Sequence, residues 1–323
     1  VPPVVWLPGS PREDFIPGCW QRWEWALQVQ RALPFSLCKS RIPTGFPAAF
    51  REPGPMKILR TILTLLILAS PVWAWGAEGH TLVSEIAWER LDPSVQARVK
   101  QLLSHHPDAR VRTLTEASLW PDLIRDRSHT FHLYHRPEWH YQDRLVKETD
   151  LPVMLEGRLL ERLEEQRRVL SDKESSDRAK AVALSWVVHL VGDLHQPLHN
   201  SELYDERFPE GDRGGNLYEV VLGREALSFH YLWDSAGGRF LYPPSTGRLL
   251  SYRTWFVENH PAASFDELEV DSFQAWSDEG LALAVEAYGN VPLGEKISTE
   301  ALESVMDVSE RRIVLAGYRL AKI

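Results

Sequence analysis

A mainly α-helical fold with one small β element is what this sequence predicts. Apolar residues recur at helical spacing along most of the chain beyond residue 75, extended segments are few, and Gly and Pro gather into separate loops. Leu82, Ile86, Ala87 and Leu91 mark a helix after Gly79. Residues 155–172 read as a charged amphipathic helix, and 177–195 as a strongly apolar one carrying Ala181, Leu184, Val188 and Val191. Two more are expected near 266–288 and 297–321, the last with Val305, Val308, Ile313, Ala316 and Leu320. Asn216 to Leu222 is the best strand candidate, and clusters at 207–215 and 237–247 read as loops. There is no internal repeat and no low-complexity segment.

The first 74 of the 323 residues are unlike the rest. Residues 1–55 are rich in Pro, Gly, Trp and Arg, hold both cysteines (Cys19 and Cys38), and show no sustained period. At Met56 the character changes: Lys57 and Arg60 precede the apolar stretch Thr61 to Ser70, and Pro71-Val72-Trp73-Ala74 follows. That succession is an export signal with cleavage after Ala74. Its apolar run is too short to span a bilayer, which takes about 20 residues. A retained anchor or a buried helix is the alternative reading. On the export reading, 1–55 is translated sequence upstream of a start at Met56, or else an N-terminal extension. Residues 56–74 are then the signal peptide and 75–323 a single domain. The expected destination is the periplasm or the exterior, without lasting membrane association.

Cleavage there leaves 28 Lys+Arg against 41 Asp+Glu, a net charge near −13, and no cysteine. Disulfides and thiolate metal sites are therefore excluded from the domain, which must rely on its core, on metal, or on both.

All 12 histidines lie in this part, and several sit in telling settings. The centre is His189-Leu-Val-Gly-Asp193-Leu-His195-Gln-Pro-Leu-His199. On a helix His189 and Asp193 share one face, Pro197 ends the helix, and His199 returns from the turn beyond. Phe229-His230-Tyr231-Leu232-Trp233-Asp234 repeats the His and Asp spacing. Trp120-Pro121-Asp122 and Trp139-His140-Tyr141 add a carboxylate and an imidazole, and Trp75-Gly-Ala-Glu-Gly-His80 opens the domain. Imidazole and carboxylate are the ligands that hold zinc without cysteine. Spacing alone leaves two readings, a multinuclear metal site or core histidines hydrogen-bonded to Asp.

This ordered set of motifs, with Gly214-Gly215-Asn216 between the last two, resembles the S-one/P-one nuclease family of zinc-dependent single-strand nucleases. The resemblance covers essentially all of 75–323 and implies the helical fold shared by phospholipase C and the P-one nucleases. It implies three zinc ions. The first would be held by Asp122, His140, His189 and a bridging Asp193. The second would take the Trp75 amine and carbonyl, His80 and Asp193, and the third His199, His230 and Asp234. The implied reaction is hydrolysis of single-stranded DNA or RNA to 5′-phosphorylated products by a zinc-bound hydroxide, in a protein expected to be a monomer. Three Zn²⁺ ions would also offset the acidity that otherwise repels a polyanion.

The same resemblance places Arg125 near the scissile phosphate, with a surface ion pair as the plain alternative. Tyr141 would stack on a base and Asp143 lie near it, against a core tyrosine and a solvated loop carboxylate. His195 faces away from the ligands by helical phase. His129, His132 and His135 are set aside as ligands because only His140 has the flanking Trp and Tyr. His105, His106 and His260 read as loop or surface residues. The rival function is a zinc phospholipase C, against which Gly214-Gly215-Asn216 and Tyr141 favour the nuclease; a non-enzymatic zinc-binding or adhesion module is the remaining alternative.

Overall fold

The structure is a computed structural model that describes residues 75–323, so the expected signal peptide and upstream segment lie outside the described residues. Nine α-helices and one two-stranded sheet make up the described residues. The order is α1 (Ala77–Arg90), α2 (Pro93–Leu103), α3 (Leu114–Leu123), α4 (Leu159–Ser171), α5 (Asp177–His195), β1 (Glu219–Leu222), β2 (Glu225–Ser228), α6 (Phe229–Asp234), α7 (Thr246–Asn259), α8 (Phe273–Asn290) and α9 (Thr299–Leu320). Among the described residues no helix is long and apolar enough to cross a membrane.

Helix α5 organises the rest. Ser176 caps its start by accepting the Ala179 N–H at 3.2 Å, and Asp177 sits favourably in the first turn. From Ser185 to His195 every residue is buried, which is why this stretch reads as apolar nearly all round. Helices α1, α2, α3, α4, α8 and α9 all pack on it. It stops at His195 because Pro197 lacks an N–H and disfavours helical backbone in the residue before it.

Two neighbours aim further residues at the end of α5. Helix α3 begins with a capping box: Thr113 Oγ1 accepts the Glu116 N–H at 3.1 Å, and the Glu116 carboxylate accepts the Thr113 N–H at 2.9 Å. Helix α9 crosses α1 closely at Gly317, where a Cβ would stand 2.6 Å from Ile86 Cγ2. The β1–β2 hairpin pairs Glu219 with Ser228 and Leu222 with Glu225, and feeds directly into α6. Around it Tyr218, Val220, Phe229 and Trp233 form a second apolar cluster with Ala284 and Val305.

The expected helices at 82–91, 177–195 and 297–321 are present. The helix expected at 155–172 begins only at Leu159, because Gly157 has φ 86° and breaks helical backbone. The one expected near 266–288 starts at Phe273, after a short 3₁₀ turn at Asp266–Glu269. The strand is only Glu219–Leu222, and its partner β2 and helices α2, α3 and α7 were not anticipated.

Candidate metal centre

Asp193 lies fully buried near the end of α5, and its two oxygens face different imidazoles. Oδ2 is 3.1 Å from His140 Nδ1 and 3.3 Å from His189 Nε2. Oδ1 is 3.3 Å from His80 Nε2. Asp122 closes the first group, its Oδ1 3.9 Å from both His140 Nδ1 and His189 Nε2. The helix supplies the His189–Asp193 pair by bringing residues i and i+4 to one side. His80 arrives from α1, Asp122 from the last turn of α3, and His140 from the loop after the short turn Pro137–Trp139. The His80 ring lies flat against that of His189, centroids 4.0 Å apart. Gly192 gives it room, since a Cβ there would stand 2.7 Å from His80 Nδ1.

His199, His230 and Asp234 form a separate buried group. His230 Nε2 is 3.4 Å from Asp234 Oδ2, and the His199 and His230 ring centroids are 5.0 Å apart. Trp75 is fully buried, and the Gly76 N–H next to it donates to Asp234 O at 2.9 Å. That bond ties the start of α1 to the third group.

Proton accounting tests whether metal suits these groups. His189 Nδ1 faces Ser118 O at 2.7 Å, His199 Nδ1 faces His140 O at 2.6 Å, and His230 Nδ1 faces Gly214 O at 2.6 Å. A carbonyl only accepts, so each Nδ1 donates its proton, and on the neutral His199 and His230 rings this leaves the Nε2 lone pair turned to the site. This is how ligand histidines are oriented around metals. His199 Nε2, His230 Nε2, His140 Nε2 and both His80 nitrogens are buried without a hydrogen-bond partner, as is Asp193 Oδ1. Such atoms cost about 1–3 kcal/mol each when nothing meets them. The donor separations in the first group bracket the ~3.3 Å edge of a tetrahedron of 2.0–2.1 Å bonds. The residues fit bound cations.

Their charge states agree. Burial holds His80 down to about 4 and His230 down to about 3, and lowers His199 as well, so these imidazoles are neutral, the form that binds metal. Burial also works against a charge on His189, but the Asp193 and Asp122 carboxylates overcome it and hold that imidazole up to about 9. Burial opposes the Asp193 charge too, yet His189, His140 and His80 together keep its carboxyl well below the usual range. The first group thus retains one positive charge as a proton, in the place where a cation would satisfy the same carboxylates. Asp234 is pushed well above the carboxylate range by burial, with the Gln196 amide acting the other way.

The groups adjoin a cleft of about 930 Å³ whose lining includes His140, His199 and His230 together with Arg125, Tyr141 and Asp143. Arg125 Nη1 donates to Asp122 Oδ1 at 3.4 Å. Tyr141 is half-buried against Gly157, where no Cβ could fit beside its ring, and it borders the cleft. Asp143 accepts the Glu156 N–H at 2.8 Å, and burial pushes its carboxyl up to about 6. The eight His and Asp side chains expected as ligands thus fall into these buried groups, and Arg125, Tyr141 and Asp143 line the cleft beside them. Trp75 is buried next to Gly76, with no hydrogen bond of its own to the His80 group among the described residues.

The family model described as S1/P1 Nuclease matches residues 75–323. The chain belongs to the S1/P1 nuclease family. Similar proteins include Endonuclease 2 of Arabidopsis thaliana, 25% identical over 291 residues covering 84% of this chain and 96% of that protein. Nuclease S1 of Aspergillus oryzae is 25% identical over 295 residues, with 82% and 96% covered. Nuclease P1 of Penicillium citrinum is 23% identical over 276 residues, with 76% and 95% covered. The chain is accordingly a nuclease of this family, a hydrolase acting on nucleic acid, and its three buried His/Asp groups can hold metal.

Some residues around the S1/P1 centre escaped sequence reasoning. Gln196 is fully buried and donates to Asp234 Oδ1 at 2.8 Å. Its place between two ligand-bearing turns was the signal. Met154, Glu202 and Arg213 also line the cleft, and loop positions of this kind carry no periodicity to flag them; His135, set aside as a ligand, lines it too. His195 does face away, as expected: its Nε2 meets Arg319 Nη1 at 3.1 Å and its ring lies near Trp276. His106 is a loop residue, as expected, but not a surface one. It is buried, accepts the Asp108 N–H at 3.1 Å, and has Ser185 Oγ 3.3 Å from its Nε2.

Proposed function

We propose that the mature protein is an exported, monomeric three-zinc nuclease that cleaves single-stranded DNA and RNA to 5′-phosphorylated products. The observation that carries this is Asp193, one buried carboxylate with an oxygen in each of two imidazole groups. Asp122, His140 and His189 would hold one ion and His80 with the Trp75 amine and carbonyl a second, Asp193 serving both. His199, His230 and Asp234 would hold the third. Zinc, when bound, supplies a water acidic enough to attack near neutral pH and positive charge for a departing oxygen.

The chain's own groups do the rest. Arg125 would bind the scissile phosphate, its fork suiting two oxygens, while Asp122 steadies it at 3.4 Å. Tyr141, backed by the Gly157 peptide, would offer a face on which any base can stack, and Asp143 would accept a hydrogen bond at the base edge. Stacking requires an unstacked base, which supports a preference for single strands.

The test is to purify residues 75–323 and assay single-stranded DNA, single-stranded RNA, duplex DNA and phosphatidylcholine, with metal counted before and after chelation. Cleavage of single strands that disappears with the zinc is expected. Headgroup release from the lipid, or single-strand cleavage that survives complete removal of metal, would refute the proposal.

A further inference from the structure

An arginine on the rim of the cleft is held in a conformation that arginine disfavours. Arg213 has φ 57°, in the left-handed region where a Cβ crowds the carbonyl oxygen. Gly214 and Gly215 follow with φ 58° and 83°, so the whole turn has the backbone that glycine adopts freely. Glu202 fixes it. This buried side chain accepts the Arg213 N–H and the Gly214 N–H at 2.7 Å each. On the other side Gly214 O accepts the His230 Nδ1–H at 2.6 Å. One peptide segment is therefore pinned between a carboxylate and an imidazole of the third group.

The Arg213 side chain is exposed, lines the cleft, and pairs with no carboxylate among the described residues. The other arginine of the cleft, Arg125, already meets Asp122, and carboxylates at Asp143, Glu156 and Glu210 line the same walls. Glycine would occupy position 213 without strain, and the fold nevertheless keeps a cation there, beside the third ligand group.

We propose that Arg213 binds a backbone phosphate of the nucleic acid, next to the scissile one. This rests on the nuclease reading above and extends it to a second phosphate. A guanidinium presents paired N–H donors that match two phosphate oxygens, and such a contact positions a strand without reading its sequence.

The experiment compares wild type with Arg213→Gln, Arg213→Lys and Arg213→Gly on two substrates. One is a dinucleoside monophosphate, whose only phosphate is the scissile one; the other is a single-stranded decanucleotide. For the decanucleotide, the slope of log kcat/KM against log salt should flatten by about 0.7 in Arg213→Gln, the amount for one lost contact to a single strand. Arg213→Lys should keep the slope, the dinucleoside monophosphate should be cleaved as by wild type, and metal content should not change. Arg213→Gly should lose the same slope yet melt about 2–4 °C higher, because it relieves the backbone. An unchanged slope in Arg213→Gln, or an equal loss on both substrates, would overturn the proposal while leaving the nuclease reading intact. A wild type that cleaves neither substrate would instead overturn the nuclease reading and this inference with it.

Discussion

Replacing Gln196 by Met keeps most of the side-chain volume and removes both of its polar ends. In the structure the amide nitrogen donates to Asp234 Oδ1 at 2.8 Å, and the amide oxygen accepts the Leu198 N–H at 2.5 Å. Both partners are buried, so the variant leaves one N–H and one carboxylate oxygen unmet. At about 1–3 kcal/mol each, the loss is about 2–6 kcal/mol. That is a large part of the 5–15 kcal/mol typical of a domain, but it leaves a folded protein in most of the range. The effect on metal is separate. With its amide partner gone, Asp234 is free to turn Oδ2 away from His230, and losing an orienting partner of this kind costs about 10–100-fold in metal affinity. Titration against a competing chelator should therefore show weaker metal binding at the His199–His230–Asp234 group, alongside a lower melting temperature. Unaltered affinity for all the ions in Gln196→Met would refute the idea that this amide orients Asp234.

Asp193→Asn should nearly abolish activity and release metal from both groups that share it, as counted by mass spectrometry of the intact protein. His195→Ala should keep its metal and instead melt earlier, because its ring meets Arg319 and Val191 O and not the ligands. Tyr141→Ala should raise KM for single strands by a stacking increment of about 1–3 kcal/mol with metal content unchanged; an unchanged KM would return Tyr141 to a packing role. A chain that begins at Trp75 should bind one more ion than a chain retaining Val72-Trp73-Ala74, since an amide nitrogen has no basic lone pair to offer. Equal metal and equal activity in the two would remove the Trp75 amine from the ligand set. Chelation should abolish binding of a labelled single strand as well as its cleavage, measured by fluorescence anisotropy.

Legibility in the sequence followed periodicity. Helix α5 was visible end to end because its burial is continuous and Pro197 stops it, and its His189–Asp193 pair could be placed on one face from spacing alone. Helix α3 was missed even though it carries Asp122, for its ten residues include Pro121 and its start depends on the Thr113–Glu116 box rather than on an apolar stripe. The His and Asp residues were legible as short motifs, and their grouping followed from the family resemblance, while spacing alone left core histidines as the other reading. No sequence pattern says that Gly192 is small so that His80 can lie on His189. Cleft residues such as Arg213 and Glu202 sit in irregular backbone, where function depends on a positive φ and two peptide N–H bonds that no residue spacing reveals.

Charge gives a physical reason for metal and substrate to act together at such a site. The domain beyond residue 74 carries a net charge near −13, and Asp122 and Asp193 lie in the buried His/Asp groups beside a cleft bordered by Asp143, Glu156 and Glu210. A polyanion approaching that cleft without metal would meet like charge, and only Arg125 and Arg213 among the arginines lining it would attract it. Three divalent ions would bring six positive charges against those buried carboxyl groups and reverse the sign of the site. The same reversal bears on the fold. His80, His199 and His230 are kept neutral by burial, and the buried nitrogens they turn inward have no hydrogen-bond partner among the described residues. Cations bound there would then also satisfy the buried nitrogens, so stability and activity should be lost together as metal is withdrawn.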